Sequence, residues 1–127
     1  MQKKIYMNSN TLIWAMLKPA LRRKFQFEEI NKITFIANMN EDTLNLEAIG
    51  VPKGTITECK RNSTQMKLSE NQEYINMFME QIKEQLKFNY LNAVYLKINF
   101  KEKSCESDIF YLNENNTKQS AKLILKF

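Results

Sequence analysis

Two stretches of the chain alternate between apolar and polar residues, as β-strands with one buried face do. Their apolar positions are Ile33, Phe35, Ala37 and Met39 in the first stretch, and Val94, Leu96, Ile98 and Phe100 in the second. A tight turn is predicted over residues 40–42 after the first stretch, and a looser one over residues 101–107 after the second. We predict further strands at residues 4–7, 43–48, 54–60, 108–112 and 121–127.

Two other stretches have apolar residues at helical spacing. The first helix is expected to begin at Asn8 or Asn10, which are good N-caps. Pro19 is expected to kink or divide it, because proline lacks an N–H and its ring clashes with the preceding turn. The second helix begins with Ser69 and Gln72, whose spacing matches a capping box. Its apolar stripe consists of Tyr74, Ile75, Phe78, Met79, Ile82 and Leu86.

The two halves of the chain follow the same order of elements when the sequence is shifted against itself. Phe35 then falls on Leu96, and the match crosses a strand, a helix and a second strand without a gap. We therefore predict an α+β fold made of two β-α-β-β-β repeats, residues 1–61 and 62–127, within a single domain, residues 1–127. Both helices are expected on one side of antiparallel sheets.

Composition narrows the classes of function. The 127 residues suit a single domain, and two glycines leave no glycine-rich phosphate loop. The sequence contains no histidine, the commonest general base and zinc ligand, and Cys59 and Cys105 do not form a metal-site pattern. We therefore expect neither catalysis nor a metal ion or cofactor. No stretch reaches the roughly 20 apolar residues of a membrane span and no signal sequence is recognisable, so we expect a cytoplasmic protein.

The net charge of +5 is concentrated in the first half of the chain. Residues 1–61 contain ten Lys or Arg and six Asp or Glu, whereas residues 62–127 contain nine and eight. A basic excess of this kind favours an anionic partner such as nucleic acid.

The arrangement of two β-α-β-β-β units with both helices on one side resembles the domain of DNA sliding clamps, the processivity factors of replication. The segments that carry the resemblance are KIYMNSNTLIWAMLKPAL, KITFIANMNEDTLNLEAIG, QMKLSENQEYINMFMEQIKEQL, AVYLKINF and AKLILKF. The resemblance implies a subunit that self-assembles into a ring around double-stranded DNA and recruits polymerases or other replication proteins through short peptides. Because clamp rings contain six such domains, a single-domain chain implies six copies or a partner that supplies the others.

Basic residues on the paired helices of clamps face the phosphate backbone without reading bases. The resemblance therefore implies DNA contacts from Lys18, Arg22, Arg23 and Lys24 on the first helix and from Lys83 and Lys87 on the second. Cations at a helix C-terminus also stabilise the helix dipole, so two interpretations of the first group are open. The second helix departs from the clamp pattern, because its lysines alternate with Glu73, Glu80 and Glu84.

Clamp subunits pair edge strands head to tail, and such a contact closes into a ring if the rotation permits. The resemblance implies that the two terminal strands of this chain are the edges. The predicted interface residues are Thr55, Ile56, Thr57 and Cys59 on one edge, and Leu123, Leu125 and Phe127 on the other.

Two other functions are compatible with the sequence. A small protein-binding inhibitor of the immunity or anti-defence type would also be short and free of catalytic residues. A nuclease would need carboxylates and magnesium at strand ends, and Asp42, Glu47 and Asp108 are the candidates. Turn chemistry already accounts for Asp42 and Asp108.

Overall fold

The fold contains seven strands and two α-helices in the part of the chain that the structure describes. This computed structural model describes residues 2–8, 12–54 and 58–127, with the backbone alone for residues 12–16 and 77. The elements are β1 (Lys3–Asn8), α1 (Leu12–Phe25), β2 (Phe27–Asn38), β3 (Thr43–Pro52), β4 (Lys60–Lys67), α2 (Gln72–Lys83), β5 (Tyr90–Asn99), β6 (Ser104–Leu112) and β7 (Lys118–Lys126). A short 3-10 helix, Leu68–Glu70, joins β4 to α2.

The strands form one mixed sheet in the order β1-β7-β6-β5-β2-β3-β4. Neighbouring strands are antiparallel except for β1 and β7, which pair in parallel from Lys3 opposite Ala121 to Asn8 opposite Lys126. The predicted α+β class is therefore confirmed, whereas the prediction of purely antiparallel sheets is wrong at the β1–β7 pair.

One face of the sheet is buried and packs against the helices. In β2 the side chains of Ile33, Phe35 and Ala37 are almost completely buried, and those between them are half-exposed. The ring of Phe35 lies 6.4 Å from that of Phe78 on α2. The helices contact each other, and their buried residues belong to the same core as this face. Truncating such a buried aromatic side chain costs about 3–5 kcal/mol. We call the opposite face of the sheet the outer face.

The strand predicted at residues 121–127 exists as β7, but it is not an edge. It lies between β6 and β1, because the first strand of the chain pairs along it in parallel. The edge strands of the sheet are β1 and β4. Hydrophobic alternation marks a strand without marking its neighbours, so the sequence could not reveal this pairing.

The strand predicted at residues 54–60 is displaced toward the C-terminus. Gly54 lies in a turn with φ of 82°, residues 55–57 are outside the described residues, and β4 begins only at Lys60. β4 pairs with β3 from Gly50 opposite Lys60 to Thr43 opposite Lys67. The predicted second β-α-β-β-β repeat requires a first strand of its own before the second helix. The residues there, Met66 included, are part of β4, and no further strand precedes α2 within residues 58–83.

The turns and helix ends also differ from the prediction in detail. α1 is a single helix that contains Pro19 rather than ending there. The Ser69 amide and hydroxyl donate to the carboxylate of Asp42 at 2.8 and 2.7 Å, so Ser69 does not cap α2, which begins after Asn71. β6 begins four residues early, because Lys103, with φ of 53°, closes the turn after β5. The predicted apolar stripe of α2 is confirmed, since its members are buried or packed against the core.

Neither described helix is long and apolar enough to cross a membrane.

Candidate nucleic-acid interface

The C-terminal turn of α1 carries three consecutive exposed basic residues, Arg22, Arg23 and Lys24. The helix ends because Gln26 adopts a left-handed conformation with φ of 55°, and the Gln26 amide donates to the carbonyl of Arg23 at 3.4 Å. Leu21 in the same turn is buried in the core. The buried residue fixes the position of the turn, and its three cations point toward solvent.

Lys53 joins this turn from the end of β3. The Lys53 amide donates to the carbonyl of Gln26 at 3.0 Å, which ties the strand end to the helix end. Lys53 then lines a shallow hollow of about 150 Å³ together with Pro19, Arg22, Arg23 and Phe27. We call Arg22, Arg23, Lys24 and Lys53 the basic cluster. Among the described residues, none of these four side chains forms a salt bridge.

Lys18 is placed differently from the other predicted DNA contacts on α1. Its ammonium group lies 4.3 Å from the centre of the Phe100 ring, at the end of β5, and the residue is half-buried. A cation over an aromatic face is stabilised there, by about 0.5–2 kcal/mol. Lys18 therefore packs against the sheet, and we do not include it in the basic cluster.

Lys83 and Lys87 are brought together with Lys3 of β1 around a second hollow, of about 510 Å³. Lys83 and Lys87 are exposed, and they lie near the C-terminal end of α2. Glu84 and Glu114 line the same hollow. The positive electrostatic potential is therefore weaker here than at the basic cluster, because no acidic residue lines the hollow beside that cluster.

The two groups lie at opposite ends of the helices. α1 leads directly into β2 and α2 leads toward β5, and these two strands are antiparallel neighbours. α2 also exposes Glu73 and Glu80 to solvent, and Glu84 is exposed just after its last residue. The helical surface is thus basic at one end and mixed at the other.

The residues predicted to join one copy of the chain to the next have different places in the fold. Thr55, Ile56 and Thr57 are outside the described residues. Cys59 is exposed, and its sulfur accepts a hydrogen bond of 3.3 Å from the side-chain amide of Asn31.

The β7 residues of that predicted interface are part of the folded sheet. Leu123 is buried, and Leu125 is half-buried opposite Met7 of β1. Phe127, which follows β7, remains 38% exposed. The assignment of Leu123 and Leu125 to an open edge is therefore wrong, because β1 occupies that side of β7.

One of the two real edges is covered by a side chain of the same molecule. The Gln85 side chain donates from Nε2 to the Tyr6 carbonyl at 2.6 Å, and its Oε1 accepts from the Tyr6 amide at 2.7 Å. Gln85 thus satisfies both backbone groups of Tyr6 on the free side of β1. β4 is the other edge, and its sequence KRNSTQMK is polar and mostly exposed.

The three carboxylates considered for a magnesium site lie apart and have other partners. Asp42 accepts from Ser69, Glu47 lies 3.4 Å from Arg61, and Asp108 lies 2.6 Å from Lys122. Glu47 and Asp108 are separated by strands β2 and β5. No group of three potential metal ligands occurs among the described residues.

Comparisons with protein-family models, with curated proteins and with solved structures found no match to this chain.

Proposed function

We propose that this chain is a sliding-clamp-like subunit that binds double-stranded DNA without reading its sequence. The observation that carries the proposal is the basic cluster, four cations from the end of α1 and the end of β3 without an acidic partner among the described residues. Arg and Lys side chains of this kind contact phosphates, and phosphate contacts hold a protein on DNA while allowing it to slide.

The helix dipole does not account for the whole cluster. A helix C-terminus carries the equivalent of about half a negative charge. Arg22, Arg23 and Lys24 supply three positive charges there, and Lys53 adds a fourth from a separate strand. The surplus leaves a positive potential that a phosphate backbone can neutralise.

The register of the central strands supports the proposal of two related halves. Phe35 of β2 pairs directly with Leu96 of β5, the residue onto which the repeat alignment places it. The alignment places Ile33 on Val94 and Ala37 on Ile98. The pair Ile33–Ile98 therefore corresponds to the pair Val94–Ala37, and both pairs are present in the β2–β5 ladder. The β2–β5 ladder thus maps onto itself, as expected for a pseudo-twofold axis between the halves.

Assembly into a ring is part of the proposal and would use β4 of one copy and β1 of the next. Gln85 would have to leave Tyr6 for this contact to form. Both edges carry lysines, Lys60 and Lys67 on β4 and Lys3 on β1, so the contact is opposed by like charges. We therefore expect assembly to strengthen when salt screens these charges or when DNA neutralises them. The assembled subunits would recruit replication or repair proteins.

The experiment that tests DNA binding compares two double variants by fluorescence anisotropy with a labelled 20-base-pair duplex. Arg22→Gln with Arg23→Gln should weaken binding and lower the slope of log K against log salt by about 1.8, or 0.9 per lost phosphate contact. The matched control, Lys101→Gln with Lys103→Gln, removes two exposed lysines from the β5–β6 turn and should leave the slope unchanged. Equal effects of both variants would mean that only net charge matters, which contradicts a defined interface.

The native mass of the protein in the presence of duplex DNA tests assembly. Six copies on the duplex are expected, whereas a monomer that does not bind DNA would refute the clamp proposal.

A protein-binding inhibitor is the second candidate, and the surface of α2 favours it. Exposed Glu73, Glu80 and Glu84 repel phosphates and suit a basic patch on another protein. A monomer that binds no duplex DNA at low salt would favour this candidate.

A further inference from the structure

The outer face of the sheet has a composition unlike that of an ordinary solvated sheet face. Because successive residues of a strand point to opposite faces, the pairing register assigns each side chain to one face. Thr34 and Ile36 of β2 lie on the outer face, and so do the alternate residues of every other strand that the register places on the same side. This surface is open among the described residues, since both helices pack on the other face.

Basic residues dominate the charge of the outer face. Its eight Lys or Arg side chains are Lys4, Lys32, Arg61, Lys67, Lys97, Lys118, Lys122 and Lys126. Its four acidic side chains are Glu29, Glu47, Glu106 and Asp108. Two of these acids form the salt bridges with Arg61 and Lys122, so six of the basic side chains form no salt bridge among the described residues.

Two of the lysines directly oppose each other. Lys4 of β1 pairs with Lys122 of β7, and like charges in this position destabilise a sheet. Asp108 partly offsets the repulsion through its 2.6 Å contact with the ammonium of Lys122. An anion bound between the two strands would relieve the remainder.

Aromatic rings lie among these cations. Phe110 of β6 is 46% exposed, and its diagonal neighbours on β5 are Tyr90, which is 42% exposed, and the half-buried Tyr95. Diagonal neighbours in a sheet are about 7–8 Å apart, within reach of aromatic side chains. Tyr6 is 61% exposed on β1, opposite Ile124 of β7. Three aromatic residues therefore form one platform, and a fourth lies nearer the β1 edge.

We infer that the outer face binds single-stranded nucleic acid, with Phe110, Tyr90 and Tyr95 stacking on bases and the lysines contacting phosphates. Proteins that hold single strands without sequence preference combine aromatic side chains with a positively charged surface, because every base has a π face. Duplex DNA would leave the rings unused, since its bases are stacked inside the helix. The site is separate from the basic cluster, which lies at the end of α1.

The charge pattern also decides between occupants of this face. A second copy of the chain would place two surfaces, each with eight basic and four acidic side chains and so a net charge of +4, against each other. That arrangement is unfavourable, because juxtaposed like charges cost binding free energy. A protein partner would have to be acidic. Its affinity would depend on the apolar area at Phe110, which a leucine also provides, and not on the aromatic ring itself. A substitution that removes the ring but keeps the apolar area therefore distinguishes a nucleic acid from a protein partner.

The experiment uses the full chain, fluorescence anisotropy and three labelled probes: a 12-nucleotide thymidine strand, a 12-nucleotide uridine strand and a duplex. Phe110→Leu retains an apolar side chain but removes the ring. We expect it to weaken binding of both single strands by about fivefold or more, because each stacked base contributes at least that factor. Phe127→Leu, at an exposed ring beyond the end of β7, is the matched control and should change binding less than twofold.

The cations are tested in the same assay. Lys4→Gln with Lys97→Gln should lower the single-strand salt slope by about 1.4, or 0.7 per contact. Lys101→Gln with Lys103→Gln, the control pair of the duplex assay, should leave the single-strand salt slope unchanged. The result depends only on outer-face residues, so failure of the duplex proposal would not affect it.

Three outcomes would overturn the inference. One is that the wild-type protein binds neither single strand at about 50 mM salt, a concentration at which phosphate contacts are strong. Another is an equal loss with Phe110→Leu and with Phe127→Leu. The third is an oligomer of the wild-type protein, seen by light scattering, that Phe110→Ala disperses, since this would make the outer face an interface between copies.

Discussion

Gln85 and Tyr6 are joined by two hydrogen bonds that imitate the pairing of a strand. The side-chain amide of Gln85 donates to the Tyr6 carbonyl at 2.6 Å and accepts from the Tyr6 amide at 2.7 Å. A residue just after α2 thus occupies the free side of β1. Natural sheets cover their edges in this way because unpaired backbone groups invite pairing with other chains.

Replacing Gln85 should both destabilise the fold and open this edge. For Gln85→Leu we expect a loss of about 1–2 kcal/mol of unfolding free energy, since two hydrogen bonds of ordinary strength are removed. Urea denaturation measures the loss, and light scattering should show increased self-association. Gln72→Leu, at an exposed position of α2, controls for the introduction of an exposed leucine. Unchanged association with Gln85→Leu would show that the side chain does not protect the edge.

Ser107 should contribute more than an ordinary surface serine. It is 4% exposed, and its hydroxyl donates to the Leu123 carbonyl at 3.2 Å and accepts from the Leu123 amide at 2.7 Å. Ser107→Ala leaves both backbone groups of Leu123 without this partner, at a cost of about 1–3 kcal/mol. Ser104→Ala, at the exposed start of β6, should cost less than about 0.5 kcal/mol in the same denaturation experiment.

Gly50 should not tolerate a side chain. A Cβ at this position of β3 would collide with the carbonyl oxygen of Glu29 and lie 3.0 Å from the Phe27 ring. The backbone cannot move aside freely, so Gly50→Ala should cost about 1–3 kcal/mol by thermal or urea unfolding. Gly54 has open space around it but a φ of 82°, so Gly54→Ala should cost only about 1 kcal/mol. A smaller loss at Gly50 than at Gly54 would contradict the close approach of β2 and β3.

Stability should fall in acid partly through Asp42. The hydrogen bonds from the Ser69 hydroxyl and amide lower the pKa of Asp42 below its ordinary value of 3.8. A carboxyl group with a lowered pKa in the folded state stabilises the fold above its unfolded pKa, and this contribution is lost as the pH falls through the folded value. Asp42→Asn should therefore be less stable than the wild type at neutral pH. The difference should shrink in titrations below about pH 4, and a constant difference would contradict the linkage.

The two cysteines should react at different rates. Burial, followed by the charge of Glu106, raises the pKa of Cys105 to about 11, whereas Cys59 is exposed. The thiolate is the reactive form, so at pH 8 only about 0.1% of Cys105 would be reactive. Mass spectrometry after iodoacetamide treatment should show alkylation of Cys59 first. Cys59→Ser should remove the fast phase, and a fast phase that survives this change would contradict the assignment.

Local patterns predicted much of the fold. The stripe of α2 and the alternation in β2 and β5 were recognisable because Phe78 and Phe35 face a common core at their expected periods. β4 was misplaced because its residues form an exposed polar edge, where hydrophobic alternation is weak. The capping box at Ser69 was wrong because Asp42, distant in sequence, binds the same groups.

The candidate site was predicted in part for the same reason. Arg22, Arg23 and Lys24 are consecutive, so their clustering was evident from the sequence alone. Lys53 was missed because its position depends on a backbone bond to Gln26 between two distant elements. The outer face was missed because its members come from all seven strands and meet only through the pairing register.

The parallel contact between β1 and β7 has a consequence for biosynthesis. A ribosome releases Lys3 long before it makes Ala121, the residue that Lys3 will oppose. The first strand therefore cannot pair with β7 until nearly all of the described chain has been translated. Until then its apolar residues Ile5 and Met7, which are buried in the folded protein, lack this partner. Contacts of such large sequence separation slow folding, so the nascent chain should be a substrate for chaperones that shield exposed strands.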